Sequence, residues 1–225
     1  MKSWVKNALT TLVISIVILM ISSAGSSAAG VGIDLQYWYS DENIGHIWTV
    51  SEIPTYILYN PNVPLFNLSL SNLHTYVNSA YSRWFPALKG KTWRPGPSPP
   101  PGPAPMVLFF CMQVEPKTRY ELGVPDSFDG ITIVPNSSDQ FITHGYYGTR
   151  VIDIYKIVGP IYVHPIYNSK SGSYSVAKWK IIMTHKMGHA FGYWGHYSSG
   201  AVMKASGVTT TYPNTNEIRH LKQLN

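Results

Sequence analysis

The residues that carry chemistry in this chain are Thr184-His185-Lys186-Met187-Gly188-His189-Ala190-Phe191-Gly192-Tyr193-Trp194-Gly195-His196, with Met203 seven positions further on. On a helix, His185 and His189 project from one face a turn apart. That separation lets both imidazoles reach a single zinc ion at ~2.0–2.1 Å. Gly192 stands where a helix can end on a left-handed residue without a Cβ penalty. The chain beyond it can then turn back and deliver His196 as a third ligand. Three histidines leave the fourth tetrahedral position open, as a catalytic zinc site requires. The alternative is a two-ligand site with His196 in solvent.

Upstream, Val176, Trp179, Ile182, Met183, Met187 and Ala190 keep a helical spacing, so the histidine pair falls on a helix over 176–191. A second amphipathic helix is expected over 70–84 from Leu70, Leu73, Tyr76, Val77, Ala80, Tyr81 and Trp84, capped by Ser69 or Ser71. A short last helix over about 216–224 carries Ile218, Leu221 and Leu224 on one side. Strands are expected at 53–59, 106–114 and 130–134, and over 151–164 with a break at Gly159-Pro160. Seven prolines between Trp93 and Pro105 predict an extended surface loop outside any ladder. The order of strand, helix, several strands, helix and short helix indicates one α/β domain of the α+β kind over 30–225, a sheet covered by helices.

With 225 residues, 44% apolar, the chain can bury a core without covalent staples. A single cysteine, Cys111, excludes a disulfide scaffold or a thiolate metal cluster, and its apolar run reads it as a small buried hydrophobe. The net charge is +6, but the 17 Lys and Arg form no dense run, so no nucleic-acid surface is expected. Residues 1–29 read as an export signal: Lys2 and Lys6 precede an apolar run from Ala8 to Ile21, and small residues follow through Ala29. The alternative is an uncleaved anchor, since the apolar run is near the ~17-residue lower limit for a span. Both place the rest of the chain outside the cytoplasm. Asn67-Leu68-Ser69 and Asn136-Ser137-Ser138 match the glycosylation acceptor pattern.

The histidine stretch resembles the zinc signature of the metzincin metallopeptidases, H-E-x-x-H-x-x-G-x-x-H followed by a methionine turn, in its matrixin form. Met187 to Gly192 and Ala201-Val202-Met203 follow the matrixin style, and Met203 lies 18 residues after His185, the family spacing. The likeness spans roughly 46–225, by motif in the last fifty residues and by element order before them. It implies a twisted mixed sheet with a long helix, an active-site helix and a C-terminal helix, and a Zn2+ held by His185, His189 and His196. Met203 would pack beneath the imidazoles. A peptide or protein substrate would lie along an edge strand, matched here by Gly159 to His164 on order alone, and a monomer is expected.

Two positions depart from the family. His196 comes one residue late, with Gly195 in the usual place. Lys186 occupies the position of the glutamate that takes a proton from zinc-bound water. An ammonium has three donors and no acceptor, so it cannot take that proton. Between Asp153 and Glu217 the chain has no carboxylate side chain, so a substitute would have to arrive from elsewhere in the fold. The resemblance thus implies a secreted zinc endopeptidase homologue with impaired hydrolysis; the alternative is a non-catalytic peptide-binding or structural surface protein.

Overall fold

A computed structural model describes residues 32–59, 69–96, 99, 101–102, 104–111, 128–165 and 174–225. The expected leader, the acceptor at Asn67 and the 112–114 end of one expected strand lie outside them.

Five strands form the larger sheet: β3 (Glu52–Tyr59), β4 (Thr92–Gly96), β5 (Met106–Cys111), β6 (Gly130–Ile133) and β9 (Pro160–Pro165), in the order β4-β3-β5-β9-β6. All neighbours run parallel except β6, which pairs antiparallel to β9 and forms one edge. A second, four-stranded sheet comprises β1 (Ile33–Asp34), β2 (Ile44–Ile47), β7 (Asp139–Tyr147) and β8 (Arg150–Ile157), in the order β1-β7-β8-β2. Only its β7–β8 hairpin is antiparallel. Among the described residues the architecture is therefore mixed α/β with two mixed sheets and three α-helices, consistent with an α+β fold.

Helix α1 (Leu70–Trp84) is capped by Ser69, whose hydroxyl accepts from the Asn72 amide at 3.1 Å. Its buried stripe is Leu73, Tyr76, Val77, Ala80, Tyr81 and Trp84. Helix α2 (Val176–Ala190) is capped by Ser175 in the same way. From Ile182 to Ala190 every residue of α2 except Lys186 is buried. Trp84 of α1 donates its indole N–H to the Thr184 carbonyl at 2.8 Å, and Trp48 donates to the Ala190 carbonyl at 2.9 Å. Both bonds pin α2 into a core that also takes Val107, Ile161 and Val163 from the larger sheet. Helix α3 (Thr215–Leu224) closes the chain behind an Asn214–Glu217 capping box. Among the described residues no helix is long and apolar enough to cross a membrane.

Three expectations are corrected. The start of the proline-rich stretch is not loop: β4 pairs with β3, Pro95 opposite Thr55. Its position at the sheet edge explains this, because a proline there need not donate to a second neighbour. Residues 159–164 do not form the edge strand, since β9 is paired on both sides, to β5 and to β6. The edge strand on that side of the sheet is β6. Finally, the single sheet is two, the second built around β7, a strand no pattern announced.

Candidate metal centre

Helix α2 carries His185 and His189 on the side it turns toward the chain end, and both are buried. The helix stops where Gly192 takes φ +114°, and its amide bonds back to the His189 carbonyl at 3.0 Å. A Cβ at Gly192 would stand 2.1 Å from the His46 carbonyl oxygen, so both the backbone angle and the space require glycine. Three residues on, Gly195 is left-handed as well, at φ +70°, with Asp41 and Glu42 against its missing Cβ. This second bend returns His196 toward the helix. The imidazole of His196 stands 5.3 Å, centroid to centroid, from each of the other two rings. One ligand atom from each of the three histidines lies within 4.8 Å of the others, and no other such cluster of three occurs among the described residues.

The hydrogen bonds settle the tautomers of the first pair. His185 Nδ1 lies 2.6 Å from the Val202 carbonyl and His189 Nδ1 lies 2.7 Å from the Tyr193 carbonyl. A carbonyl only accepts, so each Nδ1 carries the hydrogen and each Nε2 is left as a lone pair in the neutral ring. The two Nε2 atoms face one another at 3.0 Å. Protonating one would relieve the repulsion, but burial opposes it: burial foremost, and then the Lys186 charge, push His185 down to about 3, and burial with the neighbouring His185 pushes His189 well below the ordinary range. Burial lowers His196 too, partly offset by Asp41. Two converging lone pairs that resist protons are the donor set of a cation site, with backbone carbonyls fixing each ring from behind. Residues and geometry fit a metal ion that favours imidazole.

Met203 is buried against the helix that carries this pair. A Cβ on Gly188 would meet its sulfur at 2.5 Å and the Trp84 ring at 2.7 Å, so helix, methionine and indole are in close contact. The bend that holds Met203 is fastened from α3. Buried Glu217 accepts from the amides of Ala201 at 2.9 Å, Met203 at 2.7 Å and Val202 at 3.3 Å, and from Asn214 at 2.7 Å. Since Val202 also presents the carbonyl that holds His185, one carboxylate sets the loop against which a candidate ligand is oriented. Sequence reasoning did not assign Glu217 to the site. The signal available was Asn214-x-x-Glu217, a capping pattern that points to the helix and says nothing of the loop.

Lys186 faces a cavity of about 320 Å³ shared with His185, His196, Lys178 and Asp129. Burial lowers its ammonium to about 8, opposed by Asp129. At neutral pH it is still mostly protonated and cannot act as a base. Asp129, just before β6, is the carboxylate that enters the cleft from another part of the chain; nothing in its sequence surroundings announced it. Both its oxygens are occupied, Oδ2 by the Lys178 ammonium and Oδ1 by the Tyr174 hydroxyl. The β6 edge lies alongside, with the Thr132 hydroxyl donating to the Lys186 carbonyl at 3.2 Å.

The remaining histidines stand apart from the three. His46 is buried and bonded to Asp139 at 2.8 Å, with the Trp194 indole N–H on its other nitrogen. His144 pairs with Asp153 at 2.9 Å, and His74 is exposed. Burial lowers His164. No protein-family model matches the chain, and no curated protein matches it.

Proposed function

We propose that the chain is a matrixin-like metzincin homologue, a secreted zinc metalloendopeptidase scaffold whose hydrolytic step is impaired by Lys186. The observation that carries this reading is the pair of Nε2 lone pairs facing each other at 3.0 Å, both in rings tied to carbonyls and both held neutral by burial. Such a pair is stable around a cation and repulsive without one. The half-buried ring of His196 beside them makes up the three-histidine set that leaves a position open for substrate or water. Support also comes from the element order, from Met203 buried against Gly188 of the histidine helix, and from the antiparallel β6 edge beside the cleft, where an extended peptide can be held by main-chain bonds.

A bound zinc would supply Lewis acidity toward a scissile carbonyl and toward water. The chain's own residues would hold the ion and orient the substrate. Among the described residues an acceptor for the water proton is missing: Lys186 has none, and Asp129 is already engaged by two donors. Loss of a general base costs about 10²–10⁴ in rate. A non-catalytic peptide-binding role is the second reading, and the same two facts favour it.

Metal content and proteolysis test the proposal together. Purified protein, loaded with zinc and desalted, is expected to retain one zinc per chain. Lys186→Glu is expected to cleave casein at least about 10²-fold faster than the parent. Protein that retains no zinc would sink the metal reading. A parent that cleaves as fast as Lys186→Glu would sink the assigned role of residue 186.

A further inference from the structure

The cleft beside the three imidazoles has a charge suited to an anion. Among the described residues it is walled by Lys186, Lys178 and Lys204 against a single carboxylate, Asp129. That carboxylate is spent on Lys178 and Tyr174. Among the described residues no hydrogen bond ends on the Lys186 ammonium. This half-buried cation, next to three candidate metal ligands, is attracted among the described residues only by a carboxylate already bonded to Lys178 and Tyr174, so a further negative partner stabilises it. A glutamate at this position would repel any anion approaching the ion; the lysine inverts that preference.

We propose that this cleft holds a carboxylate group, supplied by a peptide C-terminus or by an acidic side chain, with the Lys186 ammonium donating to it beside the metal. The inference rests on the metal reading above and adds the ligand class. The chemistry is complementary: a carboxylate is an acceptor with two oxygens, and the cleft offers an ammonium donor and an open metal position. The cavity of about 320 Å³ admits a carboxylate-bearing side chain or chain end. Lys204, exposed at the rim, adds attraction at longer range, whereas Lys178 is neutralised where it stands.

Three short peptides distinguish the sources when titrated calorimetrically into the zinc-loaded full chain. One is acetyl-Gly-Leu-Ala with a free C-terminus, the second its C-terminal amide, and the third acetyl-Gly-Glu-Ala amide, whose only charge is on its side chain. At least one charged peptide is expected to bind roughly tenfold or more tightly than the neutral amide, the size of one charge-assisted hydrogen bond. Lys186→Met is expected to remove that difference, and Lys186→Arg to retain most of it, with folding checked by circular dichroism. Tighter binding of the first peptide identifies a chain end as the source, and of the third an acidic side chain. Equal binding of all three peptides, or an unchanged preference in Lys186→Met, overturns the carboxylate site. Zinc content measured on the same samples keeps the two ideas separate. A chain without zinc that still prefers carboxylates through Lys186 loses the metal centre and keeps the anion site.

Discussion

At Glu217 a single carboxylate holds together two elements that meet only in the folded chain. It caps α3 through Asn214 and, with the same two oxygens, accepts the amides of Ala201, Val202 and Met203. A buried amide stripped of its acceptor costs about 1–3 kcal/mol. Glu217→Ala strips several at once, so a loss of at least about 3 kcal/mol is expected in urea unfolding of the metal-free protein. Glu217→Gln keeps one oxygen and turns an NH2 group toward backbone donors, and is expected to fall between the two. Zinc affinity should weaken in the same order, because the loop that orients His185 loosens. A Glu217→Ala protein within about 0.5 kcal/mol of the parent would show that the loop stands without the carboxylate.

Gly192 works at the scale of elements, ending α2 and letting β2 pass against the turn. Gly192→Ala combines a left-handed backbone angle, costing about 1–2 kcal/mol for a residue with a Cβ, with a Cβ 2.1 Å from the His46 carbonyl. A loss of more than about 3 kcal/mol is expected by urea unfolding, since neither α2 nor β2 can yield without disturbing the core. A loss under about 1 kcal/mol would mean that the turn moves freely.

The three helices could be read because their buried stripes and caps are local: Ser69, Ser175 and Asn214 each sit one step before the periodic run. β7 could not, because most of its residues are not buried, which leaves no alternation to detect. The exchange of edge strand from 159–164 to β6 has another cause, since order along a chain does not fix order across a sheet. The histidines were legible because the three candidate ligands fall within twelve residues; Asp129, in the cleft, and Glu217, which holds the loop against His185, arrive from distant segments.

Across the whole molecule, buried histidines couple folding to pH. Burial brings His185 and His220 down to about 3 and holds His189 well below its ordinary range, whereas in an unfolded chain each titrates near 6.5. Between those limits the unfolded chain binds more protons than the folded one, so stability is complete above about pH 6.5 and is lost as the pH falls toward 3. Each such histidine contributes a slope of about 1.4 kcal/mol per pH unit. Metal-free protein is therefore expected to lose at least about 3 kcal/mol between pH 7 and pH 5, read from urea unfolding in EDTA. His220 separates the two sources of the effect, because it lies outside the histidine cluster, where its Nδ1 accepts from the Tyr39 amide at 2.9 Å. His220→Gln keeps an acceptor and removes one proton site, so its profile should be shallower by about 1.4 kcal/mol per unit. With zinc bound the protein should be more stable throughout, with the His185 and His189 slope between pH 7 and pH 5 unchanged, because neither folded ring takes a proton in that range with or without the ion. A profile in EDTA that is flat from pH 7 to pH 5 would mean that these imidazoles meet water in the folded chain, and the lone-pair argument for the metal would fall with it.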